Sequence, residues 1–231
     1  MYKGKKIVAI IPARGGSKGI KLKNLKKIKK KTLIEIAYNC IAKSKLVDDI
    51  AISTDNILIK KEAKKMKNLK IINRPKALSG DKVSDLKVLK HAVLTLENFS
   101  NNHEVLLMIQ PTSPLRKTKH INDSIKKLIN KNYDSVWSIS KIDKKYNPLK
   151  QLKIKKNKIN YYSIKGKNII ARQQLENTYI RNGSTYAFKT SFIKKTKNLL
   201  SLKNNGFILI KNFQISIDSI KDLKMVEKYH D

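Results

Sequence analysis

The chain has 231 residues, 40% of them hydrophobic and 30% charged, which is long and apolar enough for a buried core and excludes a disordered chain. Its formal charge of +35 would ordinarily point to nucleic acid, but of 52 basic residues only Arg14, Arg74, Arg116, Arg172 and Arg181 are arginine. Lysine in company with Asn and Ile reads as a solvated basic surface, without the guanidinium forks that read phosphates or base edges, and no apolar run is long enough to span a membrane.

In chain order, residues 6–11 are strand-like and end at Pro12; the apolar part is too short for a leader and is read as a first strand. Leu33, Ile36, Ala37, Cys40 and Ile41 recur at helical spacing behind Thr32, a suitable N-cap. Cys40, the single cysteine, falls on the apolar face of that helix and reads as a buried thiol in a reducing, cytoplasmic setting. Residues 49–54 (DIAIST) form a second strand, 56–67 a helix and 69–73 a third strand. Lysines 60, 61, 64 and 65 oppose Ile59, Ala63 and Met66, as expected of a helix with one wet face. A helix marked by Leu86, Leu89, Val93 and Leu96, with Ser84 as cap, leads into 104–109 (EVLLMI), the most apolar strand and so a central one. Ile121, Ile125, Leu128 and Ile129 mark the next helix, and 135–139 the next strand.

Beyond about residue 143 the rhythm changes. Residues 151–163 read as a hairpin with a Lys-Asn turn, 185–188 as a short strand, 207–217 as a strand and 220–229 as a closing helix. The expected fold class is α/β, a Rossmann-like, mostly parallel sheet with helices on both faces. It is expected as one domain over 1–231, carrying an inserted β segment at about 143–190 as a dimer contact, a substrate lip or a lengthened edge.

Ligands of open parallel sheets bind beyond the carboxyl ends of the strands. The polar segments there are PARGGSK after the first strand, STD after the second, NRP after the third, QPTSPLR after the central one and SID near the end. The first loop has glycines at 15, 16 and 19, so it fits neither the dinucleotide fingerprint nor the P-loop; a plain surface turn is the other reading. Arginine at several of these ends, in a chain that uses lysine elsewhere, suggests bidentate contacts, with carbonyl capping as the alternative for each. His91, His103, His120 and His230 lack metal-ligand spacing, and no nucleophile-base set is present. Cations, amides and one carboxylate with Mg²⁺ fit phosphoryl or nucleotidyl transfer.

In order and spacing, IPARGGSKGIKLKN, STD, RP with LSGD, QPTSPLR, RQQL with RNGSTY, and SIDSIKDL resemble the acylneuraminate cytidylyltransferases, over nearly the whole chain. The resemblance implies a nucleotidyltransferase that joins CTP to a nonulosonic acid with Mg²⁺, releasing pyrophosphate, and works as a homodimer without nucleic acid or membrane. Activation of another sugar acid such as 3-deoxy-octulosonate, or use of GTP, is the neighbouring enzyme reading; a basic nucleic-acid-binding domain is the reading from a different class. By position, Arg14 and Lys18 would hold the triphosphate and serve catalysis, with Ala13, Gly15, Lys23, Asn24 and Arg74 completing the nucleotide site. Gln110, Arg172, Gln173 and Asn182 would face the sugar acid, and Asp218 would hold the metal and join the catalytic set. The family pattern Asp-Ile-Asp is here Ser216-Ile217-Asp218, so one carboxylate of a hard-cation site is a hydroxyl.

Overall fold

The computed structural model describes residues 1–98 and 102–229. Seven strands form the main sheet: β1 (Ile7–Pro12), β4 (Asp49–Thr54), β5 (Leu69–Asn73), β6 (Val105–Met108), β7 (Ser135–Lys141), β10 (Tyr179–Lys189) and β11 (Asn205–Leu209). Two short ladders lie apart from it, β2 (Lys27–Ile28) with β3 (Lys31–Thr32), and β8 (Leu152–Lys155) with β9 (Lys158–Tyr161). The sheet order is β11-β7-β10-β6-β1-β4-β5. All neighbouring pairs are parallel except those of β10, which runs against both β6 and β7. The strand order reverses between β1 and β6, so their carboxyl ends open a crevice at the point where ligands of such sheets sit.

Alternation along β1 builds the two halves of the core. Ile7, Ala9 and Ile11 pack with α1 (Leu33–Ala42), α2 (Ile57–Ala63) and α4 (Thr118–Asn130) through Ile34, Ala37, Ile41, Ile59, Ile121 and Ile125. Val8 and Ile10 face the other way, onto Leu86, Leu89, Ala92 and Val93 of α3 (Asp85–Glu97) and Ile193 of α5 (Thr190–Lys195). Thr32 caps α1 as its sequence predicts: its Oγ1 accepts from the Glu35 N–H at 3.2 Å while Glu35 Oε2 accepts from the Thr32 N–H at 2.6 Å. Ser84 stands at the cap position of α3, yet its side chain makes no capping bond.

Three elements differ from their sequence readings. α2 ends at Ala63, after which i→i+3 bonds carry the chain to Met66 and Asn68 turns it with φ 57°. β10 is much longer than 185–188, because Arg181-Asn182-Gly183-Ser184, polar enough to read as a loop, is a bulge within the strand, where Gly183 takes φ +70°. β11 ends at Leu209: Ile215 and Ile217 are apolar because they pack into a separate small core, and the segment carrying them leaves the sheet edge and runs toward the crevice.

That small core joins Ile20 of the loop after β1, Ile28, Leu33 and Ile36 to Ile217 and to Val226 of α6 (Ile220–Glu227). It seats one wall of the crevice on the other. Ile217→Ala, at a fully buried position, is therefore expected to lower unfolding free energy by about 2–5 kcal/mol in urea titration. A loss under about 1 kcal/mol would show that this core does not hold the two walls together.

Candidate active site

The loops at the carboxyl ends of β1, β5 and β6 and the segment before α6 enclose a cleft of about 510 Å³. Of the residues singled out from sequence, Arg14, Lys18, Lys23, Asn24, Arg74, Gln110 and Asp218 line it together. Ala13 does not: its side chain is in the core and its N–H donates to the Ser53 carbonyl at 3.0 Å, continuing the pairing of β1 with β4. Gly15 is absent from the lining as well, and its N–H donates to Asp55 Oδ1 at 3.0 Å. Side-chain cations thus supply more of this cradle than the main-chain amides that the glycine-rich loop suggested.

Each cation has a resting partner. Arg14 Nη2 lies 2.8 Å from Asp81 Oδ1, and Lys18 Nζ lies 2.9 Å from Asp81 Oδ2. The Lys18 ammonium, helped by Arg14, holds the Asp81 carboxyl below the usual carboxylate range. Lys23 Nζ donates to the Ile217 carbonyl and to Asp218 Oδ1, both at 2.8 Å. Asn24, buried, donates from Nδ2 to the Arg14 carbonyl at 3.0 Å and so fixes the turn that presents Arg14. Arg74 is pinned below, donating from Nε to Ser53 Oγ at 3.1 Å and from Nη2 to the Ser53 carbonyl at 2.6 Å. Burial pulls its pKa down from the ordinary arginine value.

A second cavity of about 450 Å³ adjoins the cleft, sharing Asp85, Gln110 and Asp218 with it. Trp137, Arg181, Asn182, Tyr186, Gln214 and Ser216 complete much of its wall, with the Trp137 and Tyr186 rings packed edge to face at 5.2 Å. Asn182 is there as expected, but its amide is committed to the bulge of β10: Oδ1 accepts from Ser138 Oγ at 2.6 Å and from the Ser184 N–H at 3.1 Å, and Nδ2 donates to Ser140 Oγ at 2.9 Å. Gly183 allows the close fit beneath, since a Cβ there would come 2.6 Å from Ser113 Oγ and 2.9 Å from Gln110 Oε1.

Two expected members are elsewhere. Arg172 and Gln173 line a separate cavity of about 500 Å³ with Lys141, Ile142, Asp143 and Lys144, and Arg172 Nη2 lies 3.4 Å from Asp143 Oδ1. Their short 3₁₀ turn belongs to the excursion between β7 and β10, which stands away from the sheet, so within one chain they do not join Gln110. Arg181 is the guanidinium that lines the second cavity. Arg116 is no ligand group either. It is buried and donates to the carbonyls of Ser184 and Gln110, tying QPTSPLR to β10, and burial lowers its pKa to about 10.

Sequence reasoning assigned no role to Asp81 or Asp85. Asp81 lay within the LSGD motif, and Asp85 opens α3 directly behind Ser84, where the strand-end rule had no reason to look. Among the described residues no three His, Cys, Asp or Glu side chains are grouped to hold a metal. His103 pairs with Asp49 at 2.6 Å, away from the cleft; His230 lies outside the described residues. A further cavity of about 630 Å³ is lined by Lys5, Glu97 and Glu104 among others and shares no residue with the cleft.

A crevice at the switch point of a mostly parallel sheet, with four cations on one phosphate-sized cleft and a second cavity sharing its wall, defines a nucleotide-dependent transferase of the α/β class. Comparison with known proteins agrees and sharpens it. The sequence model of the family described as "Cytidylyltransferase" matches residues 8–229, and the chain belongs to that family of nucleotidyltransferase enzymes.

Among its relatives, "Post-translational flagellin modification protein B" of Campylobacter coli is 31% identical over 96% of this chain and 93% of its own length. "CMP-N,N'-diacetyllegionaminic acid synthase" of Campylobacter jejuni is 30% identical over the same shares. "N-acylneuraminate cytidylyltransferase" of Streptococcus agalactiae is 29% identical over 94% of this chain, which spans about half (51%) of that enzyme. The solved structure of CMP:2-keto-3-deoxy-manno-octonic acid synthetase with CTP superposes with a TM-score of 0.74, covering 97% of this chain and 98% of that one. At 15% identity it speaks for the fold alone.

The resting pairs generate a prediction. Asp81 occupies the same two cations that a phosphate chain would use, so Asp81→Asn is expected to tighten CTP binding several-fold, measured by calorimetry at low salt. Unchanged or weaker binding would show that Asp81 does not compete with the nucleotide.

Proposed function

We propose that the enzyme transfers CMP from CTP to the anomeric hydroxyl of a nonulosonic acid and releases pyrophosphate. The observation that carries this reading is the pair of abutting cavities: a cation-lined cleft for a triphosphate, opening through Gln110 into a mixed polar and apolar cavity with Arg181 available to a carboxylate. The name of a relative matching nearly the whole chain, "CMP-N,N'-diacetyllegionaminic acid synthase", supports the same class of substrate.

In this reading Arg14, Lys18 and Lys23 exchange their aspartate partners for phosphate oxygens. Arg74, held by Ser53, stays fixed beside the nucleotide. The sugar hydroxyl approaches the α-phosphorus in line, and the loop cations meet the charge that builds on departing pyrophosphate. Gln110 orients the acceptor at the seam. Mg²⁺ fits the donors present: Asp218 and Ser216 put a carboxylate and a hydroxyl on one cavity wall, and this ion ordinarily takes one or two carboxylates together with substrate phosphates. When bound it would neutralise phosphate charge there.

A homodimer belongs to the same proposal. On the β8–β9 hairpin, Leu152 pairs with Tyr161 and Ile154 with Ile159, giving one apolar face, while Lys153, Lys155 and Lys158 take the other. Ile154 is 77% exposed and Ile159 71% exposed, as a face awaiting a second copy would be. Among the described residues no helix is long and apolar enough to cross a membrane, and the lone thiol suits a cytoplasmic setting.

Pyrophosphate release with CTP, GTP, ATP and UTP against a panel of sugar acids tests the reaction. Release is expected with CTP and a nonulosonic acid; turnover with no pair would overturn the reading. Arg14→Ala should lower turnover by orders of magnitude while far-UV circular dichroism and melting stay as in wild type, and wild-type kinetics would remove Arg14 from the phosphate site. Ser216→Asp should tighten divalent-ion binding, read from Mn²⁺ paramagnetic resonance with nucleotide bound. An unchanged Mn²⁺ affinity would place Ser216 outside the metal shell.

A further inference from the structure

The two cavities meet along a short seam. A hydroxyl held in the second cavity must cross it to reach a phosphorus in the cleft, and the side chains that line both spaces are Gln110, Asp218 and Asp85. An amide such as Gln110 takes no proton near neutral pH. Asp218 is engaged by the Lys23 ammonium at 2.8 Å and is the carboxylate suited to a metal. Asp85 is different. It accepts a hydrogen bond from Gln110 Nε2 at Oδ2 over 3.5 Å, and it takes part in no ion pair among the described residues. It is the first residue of the 13-residue helix α3, so the carboxylate stands at the positive end of a helix dipole.

We propose that Asp85 is the general base of the transfer, an assignment that rests on the nucleotidyl-transfer reading above. The Asp85 carboxylate removes the proton from the anomeric hydroxyl as that oxygen's electron pair forms the new bond to the α-phosphorus. The bond from the α-phosphorus to its bridging oxygen breaks, and its electrons leave with pyrophosphate. The proton on Asp85 then passes to solvent.

The surroundings suit that duty. Burial pushes the Asp85 carboxyl up, which makes it a stronger base, while Arg74 on the β5 side, Arg181 on β10 and Arg14 on the first loop pull it back down. Tyr186, whose own pKa burial raises, also faces it and is neutral at working pH, and the Asp218 carboxylate lines the same two cavities. Asp85 therefore acts as a base only above its raised pKa and is lost as one when the pH falls through it. Gln110, in contact with both Asp85 and the bulge at Gly183, sets the angle at which the acceptor meets the carboxylate.

The experiment compares wild type, Asp85→Asn and Asp85→Glu in CMP transfer from CTP across pH 5–9, with CTP affinity measured by calorimetry and Mn²⁺ affinity by paramagnetic resonance. Asp85→Asn is expected to lower kcat by about 10²–10⁴-fold and to lose the acidic limb of the kcat/KM profile, with CTP and Mn²⁺ affinity retained. Asp85→Glu should keep part of the rate with the limb displaced. If the Asn variant fails to fold, the position of the Glu limb decides. A wild-type limb in either folded variant, or a fall in Mn²⁺ affinity with the limb kept, overturns the assignment while leaving the reaction standing. Absence of transfer by the wild-type protein with every sugar acid overturns the reaction and the base together.

Discussion

Lys23 holds the cleft in one piece. Its ammonium takes the Ile217 carbonyl and the Asp218 carboxylate at once, joining a loop near the start of the chain to a segment near its end, and its side chain is only 16% exposed. The contact is reinforced from both sides. A Cβ on Gly19 would fall 2.5 Å from the Asp218 carbonyl, so glycine is what lets the two backbones meet. Beneath them Ile20 and Ile217 share the small core closed by Val226. Without this seam the cationic loop and the carboxylate beyond β11 would be separate surfaces. With it they become facing walls a ligand can span.

The charge arrangement follows from the same constraint. Four cations crowd one cleft, and a cluster of like charge is stable without ligand only if it is neutralised locally. Asp81 serves Arg14 and Lys18, and Asp218 serves Lys23, while Arg74 rests on neutral oxygens of Ser53. In the proposed function the aspartates stand where phosphate oxygens would bind, and nucleotide entry becomes an exchange of one set of anions for another, cheaper than creating ion pairs afresh. The positive field of a chain carrying +35 charges speeds the arrival of such anions, although it does not choose among them. In the proposed function choice falls to the shaped groups of the second cavity: the guanidinium of Arg181, the amide of Gln110 and the aromatic wall of Trp137 and Tyr186.

Much of this was legible in the sequence because it was periodic or local. The 49–54 and 69–73 strands, the Thr32 cap and the Lys156-Asn157 turn, with φ of 50° and 57°, follow from alternation, a hydroxyl three residues before Glu35 and a two-residue loop. The cleft residues were legible because strand ends in a parallel sheet converge. What was not legible depended on tertiary context. Arg116 looks like Arg74 in sequence, but it turns inward to carbonyls on β10, a strand whose bulge no local pattern announces. Asn182 lines the second cavity as its sequence position suggested, but its bonds to Ser138, Ser140 and Ser184, which hold the bulge, could not be read locally. Arg172 and Gln173 carry the family spacing but ride on an excursion whose docking one chain does not fix. Asp85 opens a helix, and only the meeting of two cavities gives it meaning.

The central claim is that loops from four places in the chain act on one nucleotide. Hydrogen–deuterium exchange with and without CTP tests it directly, because local protection reports each segment separately. The account predicts that CTP slows exchange together in residues 13–24, 74–81, 110–116 and 215–219, while the hairpin 152–161 is unaffected. Protection confined to one of these segments, or centred on the cavity around Lys5 and Glu97, would contradict it.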